Sequence, residues 1–378
     1  MKIGFQAAVI DDNQTGLGIY AKNLLSSFAG MNKLDQIWTI HYAGRNADFY
    51  ADKQEVLIPE FPFRLSKIFG VPAAVRKCHP DLLHFPVHRC DDFLSYFMNA
   101  RVKKILTIHD LIPFISPPQQ DLQTRYLWTT TLKIIHRNLS VVIVDSESTL
   151  NDCVTYLRIP RENIRVIPLA ASDIFKPDQN REEVSNRVLV DLGIDVPFIF
   201  YTGSLIPRKN IPLLLKAFSL LKRKGYPHKL VIAGGKNSYF RDLIGIAESL
   251  GISGEIIFPG YLAEQDLVDY YNAAEIFVYP SLYEGFGIPP LEAMACGTPV
   301  VTSNTSSLPQ VVGDAGVMID PYNADELARA LEELIRDEGY RRELAKKGID
   351  QAGSFSWTRT GKETWNVYEE VAQMQECK

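Results

Sequence analysis

Cysteine is scarce: Cys78, Cys90, Cys153, Cys296 and Cys377 are odd in number, far apart and never in C-x-x-C spacing. Neither a disulfide framework nor a zinc site is indicated, and a reducing cytoplasm is the expected compartment. Nowhere do ~18 consecutive apolar residues occur, so no spanning helix is expected and only a peripheral membrane role stays open. The first residues turn polar and acidic before any stretch of signal-peptide length, so mature structure is expected from Met1 onward. Positive charge is not in excess: 40 Lys+Arg stand against 45 Asp+Glu, a net charge of -5. With no lysine-rich tail or basic repeat, nucleic acid is not an expected partner. Repeats of ~20 to 50 residues and low-complexity tracts are absent too, which removes solenoids and linkers. What is present is a 46% hydrophobic, 22% charged chain of 378 residues. At ~100 to 200 residues per domain, that balance means a globular protein of two or three domains.

Short β-branched or aromatic runs alternate with helical-period stretches, the pattern of βαβ units on parallel sheets. One set runs through Lys2 to Val9, Ile37 to Tyr42, Asp81 to Phe85, Lys104 to Ile108 and Val141 to Asp145, with helices at about Leu17 to Ala29, Gln123 to Asn138 and Ser148 to Leu157. A second runs through Phe198 to Thr202, Lys229 to Ala233, Glu255 to Pro259, Ile276 to Tyr279 and Pro299 to Thr302. Its helices are expected near Ile211 to Lys224, Phe240 to Leu250, Glu264 to Ala274, Pro290 to Ala295 and Asp325 to Ile335. Ile174 to Asp195, charged and carrying Pro177, reads as a surface connection between two doubly wound α/β domains. The apolar spacing of Trp365, Val367, Tyr368 and Val371 predicts a C-terminal helix over Trp357 to Gln375, able to dock on either domain. Open α/β sheets bind ligands beyond the carboxyl ends of their strands, so the chemistry is expected on strand-end loops lining a cleft between the two domains.

The motifs fall where that rule asks. Gly16-Leu17-Gly18 follows the first strand and could bring backbone N–H groups to an anion, or be a tight turn and nothing more. A third glycine and a later ribose-binding acid are missing, so the dinucleotide fingerprint is incomplete. Gly203-Ser204-Leu205-Ile206-Pro207-Arg208-Lys209-Asn210 places two adjacent cations at a helix start, a good diphosphate site if it is not merely a solvated basic turn. The strongest stretch, Ser281 to Val300, puts Glu284 on a glycine-rich turn and Glu292 one turn into the next helix. One carboxylate could face a cleft while the other reaches two adjacent hydroxyls, and Gly285 and Gly287 would open their N–H groups to a phosphate. His109, with Asp110, ends a strand at the same edge. It could bond a sugar hydroxyl or orient Asp110, and a structurally satisfied histidine is the competing reading. Ser146 looks first like a helix N-cap.

On these residues the chain resembles, over nearly its whole length, the family 4 retaining glycosyltransferases of the GT-B fold. The E-x7-E pair Glu284 and Glu292 is the specific motif; the R-K-N turn, Gly16-Leu17-Gly18, Thr107-Ile108-His109-Asp110 and Pro-Val-Val-Thr-Ser at 299 to 303 occur in the family's order. The resemblance implies a first domain of residues 1–175 plus 356–378, which binds acceptor. It also implies a second of residues 190–355, which binds a nucleotide-sugar, with the last helix crossing back to the first. It further implies Arg208 and Lys209 as a pyrophosphate clamp, Glu292 on the ribose and Glu284 facing the donor sugar. Phe286, Gly287 and Ile288 would offer N–H groups, Gly18 would close over the diphosphate, and Tyr261 and Leu262 would meet the base. His109 would stand beside the reacting sugar, with Asp110 on the acceptor side. No metal ion or other cofactor is implied. One departure is Ser204, where many members carry Arg; Arg208 is then placed to supply that charge.

Within the family, G-S-x-x-P-R-K-N with T-S-N-x-S-S-L-P at 302 to 309 looks most like bacterial mannosyltransferases of surface polysaccharides. GDP-mannose is the expected donor, with UDP- and dTDP-sugars as alternatives, and a glycan or lipid-linked saccharide is the expected acceptor. The segment Phe61 to Ile105 is locally +5, with Arg64, Lys67, Arg76, Lys77, Arg89, Arg101, Lys103 and Lys104 against Asp81, Asp91 and Asp92. It could dock on anionic lipid, at the inner face of the cell membrane, or be a solvated basic face. A nucleotide-sugar epimerase or an inactive nucleotide-sugar-binding protein is the competing class.

Overall fold

The structure, a computed structural model, describes residues 1–12, 16–42, 46–59, 69–98, 102–115 and 122–374. The chain divides into two units, Met1–Leu169 with Ser356–Lys378, and Ala170–Phe355. The first contains strands β1 (Ile3–Gln6), β2 (Ile37–His41), β3 (Gln54–Leu57), β4 (Leu82–Phe85), β5 (Lys103–Ile108), β6 (Val141–Val144) and β7 (Ile164–Val166). Its helices up to that point are α1 (Ala8–Asp12), α2 (Gly16–Gly30), α3 (Ala47–Tyr50), α4 (Val71–Cys78), α5 (Ile112–Ile115), α6 (Leu122–Ile135) and α7 (Glu147–Asp152). The strands form one parallel sheet in the order β3-β2-β1-β4-β5-β6-β7. β1, β4 and β6 are buried at every position, as strands covered by helices on both faces must be.

The second unit begins with α8 (Arg181–Leu192), then carries β8 (Phe198–Thr202), α9 (Ile211–Arg223), β9 (Lys229–Ala233), α10 (Phe240–Ser249), β10 (Ile256–Gly260), α11 (Glu264–Ala273) and β11 (Ile276–Tyr279). It continues through α12 (Ile288–Ala295), β12 (Val300–Ser303), α13 (Leu308–Val312), β13 (Gly316–Ile319), α14 (Ala324–Arg336) and α15 (Glu338–Gly353). Its parallel sheet has the order β10-β9-β8-β11-β12-β13. The strand order reverses between β1 and β4 in one sheet and between β8 and β11 in the other. Each reversal opens a crevice at the carboxyl ends, because the two flanking connections leave in opposite directions.

Two expectations need correction. The segment Ile174–Asp195 is no mere connection: it contains α8, whose Val184 and Val188 are buried and whose Arg187 pairs with Asp269 of α11 at 2.7 Å. Arg181 fixes its start through the carbonyls of Asn272 at 2.7 Å and Gly297 at 3.1 Å. The units accordingly divide at 169/170. The first strand, expected to reach Val9, stops at Gln6, and the apolar run that follows forms α1. Gly16 and Gly18 therefore lie in the first turn of α2 and not on a turn leaving the strand; Thr15 is outside the described residues.

The last helix, α16 (Trp357–Gln373), belongs to the first unit. Its buried face, with Trp365, Tyr368 and Val371, packs on α2, and Phe28 meets both Trp365 and Tyr368 at ring-centroid distances of 5.7 Å. Ser356 caps its start by accepting from the Arg359 N–H, and Lys103 donates to the Ala372 and Met374 carbonyls at its end, as termini with unpaired backbone groups require. The helices approach so closely that a Cβ built on Gly361 would lie 2.7 Å from Ser27 Cβ and overlap its Oγ. Gly361→Ala should lower stability by about 1–3 kcal/mol in a denaturant melt, although the same change in an open helix would gain ~1 kcal/mol. An unchanged or raised midpoint would contradict this packing.

Candidate functional site

In the second unit the loops after β8 and β11 meet at the reversal of strand order. The β8 loop leaves through Gly203, whose φ of +146° suits glycine. It then makes a short turn over Pro207–Lys209 that turns Arg208 and Lys209 inward. The β11 loop is tied to it: the Leu282 N–H donates to the Arg208 carbonyl at 2.9 Å, and Ser281 Oγ to the same oxygen at 3.2 Å. A third loop closes the site, since Ser306 Oγ accepts from the Glu284 N–H at 2.9 Å and Ser307 Oγ donates to the Glu284 and Phe286 carbonyls at 3.0 and 2.6 Å.

Glu284 sits where the three loops converge, its residue 7% exposed. Its Oε1 lies 2.6 Å from Lys209 Nζ and 2.9 Å from an Arg208 guanidinium nitrogen, and it accepts from Ser281 Oγ at 2.5 Å. Lys209 also donates to the Tyr279 hydroxyl, and Arg208 to the Tyr283 carbonyl. Burial works against the charge on Glu284, but Lys209 and Arg208, helped by Ser281, hold its carboxyl below the ordinary glutamate value. The sequence brought these three residues forward but gave no sign that they pair with one another. Ser281, Tyr279, Ser306 and Ser307 were missed as supports, although Ser306 and Ser307 stand within the T-S-N-x-S-S-L-P stretch already noted.

Glu292 is a separate group. It lies on α12, and it accepts from the Tyr271 hydroxyl at 2.9 Å. Burial raises its carboxyl to about 7, against the Tyr271 hydrogen bond and with help from Glu264. Gly287, at φ +112°, starts α12, and a Cβ there would lie 2.9 Å from Leu308 Cδ2. Phe286 is buried against Phe355, while Ile288 is part-buried. Ser204 is exposed on the β8 loop; Tyr261, on the turn after β10, is 79% exposed, and Leu262 beside it is part-buried.

In the first unit, a cavity of about 200 Å³ at the strand carboxyl ends is lined by Leu17, His88, Thr107, His109, Asp110 and Trp128 among others. His109 does not orient Asp110. Its Nδ1 lies 2.6 Å from Asp145 Oδ2 and its Nε2 lies 2.9 Å from the Pro86 carbonyl oxygen, so both ring nitrogens are engaged by the protein. Asp110 instead accepts from the Ile112 N–H at 3.0 Å. Asp145, at the end of β6 and 36 residues from its partner, carried no spacing signal. Ser146 is the N-cap of α7, accepting from the Thr149 N–H at 3.1 Å. Gly16 is exposed and Gly18 is buried at the start of α2.

Only part of the basic segment Phe61 to Ile105 lies within the described residues. Arg64, Lys67 and Arg101 lie outside the described residues, as does the Asp91 side chain. Lys104 is buried in β5, Lys103 binds the end of α16, and Arg89 lies 4.0 Å from buried Asp92; Arg76 and Lys77 are exposed on α4. Among the described residues, no helix is long and apolar enough to cross a membrane, and no group of three or more His, Cys, Asp or Glu is placed to hold a metal ion.

Known proteins match the chain across both units. The description "Glycosyltransferase Family 4" matches residues 19–171, and "Glycosyl transferases group 1" matches residues 190–351. The O-antigen chain mannosyltransferase B of Escherichia coli is 30% identical over 97% of this chain and 99% of its own length. The chain belongs to the family 4 glycosyltransferases of the GT-B fold. A second relative of this glycosyltransferase, the serotype-specific mannosyltransferase WbdA of Escherichia coli, is 32% identical over 69% of this chain but only 33% of its own length. Sucrose-phosphate synthase from Thermosynechococcus elongatus has the same fold, with a TM-score of 0.80 at 21% identity over 98% of this chain and 99% of that one. So does Anabaena HepE, solved in complex with UDP and glucose, with a TM-score of 0.75 at 18% identity over 99% of this chain and 100% of that one.

The raised carboxyl of Glu292 sets a pH dependence. A glutamic acid held protonated up to about 7 favours the folded state at low pH, and that contribution is lost as pH rises from the unfolded glutamate value through 7. In Glu292→Gln, chemical denaturation of the ligand-free protein should show a shallower loss of stability across this window. A decline as steep as that of the wild type would rule Glu292 out as its source.

Proposed function

We propose that this glycosyltransferase is a retaining α-mannosyltransferase that moves mannose from GDP-mannose to a hydroxyl of a glycan or lipid-linked saccharide in surface polysaccharide biosynthesis. The observation that carries the reading is the convergence of Arg208 and Lys209 beside Glu284 at the reversal of the second sheet. Two fixed cations at a strand-end crevice suit a nucleoside diphosphate, whose charge grows as the glycosyl bond breaks. The choice of mannose is supported by the end-to-end likeness to an O-antigen mannosyltransferase.

In this reading the clamp supplies positive charge to the leaving diphosphate, Glu292 accepts hydrogen bonds from the ribose hydroxyls, and exposed Tyr261 offers its ring to the base with Leu262 beside it. Glu284 faces the sugar, and the N–H groups of Phe286, Gly287 and Ile288 bind sugar and phosphate. The acceptor uses the first unit's cavity beside His109 and Asp110. Retention follows without a protein nucleophile when the leaving phosphate itself takes the acceptor's proton on the same face of the sugar. A covalent intermediate on Glu284 is disfavoured by its environment: a carboxylate already bound by two cations and a hydroxyl is a weakened nucleophile.

A thermal-shift panel of GDP, UDP, ADP and dTDP, each with and without its sugar, tests the donor. A ligand at ~100 times its Kd stabilises the fold by ~2.7 kcal/mol. The expected response is to GDP and GDP-mannose; a response to UDP or dTDP instead would replace the donor, and silence throughout would remove the clamp reading. Lys209→Ala should lower kcat by ~10²-fold or more if the cation acts on the departing phosphate. Transfer assays giving an unchanged rate would take Lys209 out of that role.

A further inference from the structure

With Asp145 ionised, the hydrogen-bond arithmetic around His109 does not close for a neutral ring. The Pro86 carbonyl oxygen, 2.9 Å from Nε2, can only accept, so Nε2 must carry a hydrogen. The Asp145 carboxylate, 2.6 Å from Nδ1, likewise accepts when ionised, so Nδ1 must carry one too. A neutral imidazole has a single N–H, and either tautomer would leave one of these contacts lone pair against lone pair. The Nδ1 contact, at 2.6 Å, is as short as or shorter than charge-assisted N–H···O bonds. The Asp145 side chain is 2% exposed and its Oδ1 has no hydrogen-bond partner among the described residues, so burial raises its carboxyl and His109 is the group that pulls it back toward the ionised form.

We propose that Asp145 is a positioning residue that holds His109 as an imidazolium, so that His109 serves the first unit's cavity as a fixed cation and not as a proton-accepting base. The groups around the ring agree. Tyr20 of α2 meets it edge to face, with ring centroids 4.5 Å apart at 79°, and Thr149 Oγ1 donates to the His109 carbonyl. Asp110, next in the chain, adds negative charge. His84 on β4 is driven by burial down to about 3 and is neutral, and burial likewise lowers His88, in the loop after β4, to about 4. Burial opposes the charge on His109, but Asp145, Pro86 and Asp110 together outweigh it, and the ring's proton affinity ends above the ordinary value. With both ring nitrogens engaged by Asp145 and Pro86, the imidazolium has no lone pair left to take an acceptor's proton.

Nitrogen NMR of the full chain, with ¹⁵N-labelled histidine, reads the ring directly. The His109 signals are assigned by their loss in His109→Gln. Near neutral pH both His109 nitrogens should resonate as protonated in the wild type, and Asp145→Asn should move one of them to the unprotonated position. A neutral tautomer in the wild type would overturn the proposal, whether or not the Asn variant folds. This readout needs no substrate, so it is independent of the proposed donor and reaction. The transfer rate extends the test: with Asp145 replaced by Asn, the cationic fraction falls about tenfold for each pH unit above the imidazole pKa. Activity of the variant should therefore start to drop at a lower pH than that of the wild type, within about pH 6 to 8, and parallel profiles would sink the idea.

Discussion

A carboxylate buried between two cations organises the second unit. Removing Glu284 from water is costly, and the cost is offset only while Lys209 and Arg208 stay within bonding distance. That requirement fixes the β8 loop against the β11 loop, and the serines at 306 and 307 then hold the β11 loop from the other side. The charges are therefore pre-arranged before any ligand arrives. A diphosphate bound as proposed would meet oriented cations and need not reorganise them, which is the condition under which fixed charge acts most strongly on a transition state.

The two units solve a common problem with different chemistry. Each parallel sheet reverses its strand order once, and each reversal has ionisable side chains nearby. In the second unit a carboxylate shares two permanent cations. In the first, a histidine and an aspartate are buried beside a cavity, and the pair depends on where one proton resides. Charge that arginine and lysine carry at any physiological pH is in the first unit conditional on a neighbouring aspartate.

Much of this was legible in the sequence where burial is uniform. β8, β9 and β11 are apolar throughout or nearly so, and their limits follow from composition alone. The edge strands β3, β7 and β13 were not found, because strands of three or four residues with part-buried positions carry a faint apolar signal. α8 was hidden for a similar reason: only Val184 and Val188 are buried along a charged helix, and Arg181 and Arg187 secure it through partners distant in sequence. At the sites, residue types were readable but pairings were not. Glu284 and Glu292 stand out by spacing, yet one is neutralised by cations and the other holds its proton through burial. Nothing in a spacing of eight residues distinguishes those fates. Asp145 illustrates the limit most clearly, since the residue just after one strand acquires its meaning only from a histidine just after the neighbouring strand.

The last helix has a consequence for how the chain is made. Tyr368 of α16 bonds His84 at 2.6 Å in the centre of the first sheet, and Trp365 covers Phe28. The first unit therefore lacks part of its covering until residues 357–373 emerge from the ribosome, whereas the second unit is one uninterrupted segment. During synthesis, roughly at 5–20 residues per second, the later-made unit can be the first to finish folding. The earlier one waits with an apolar groove exposed, and that interval is when a chaperone would have most to protect.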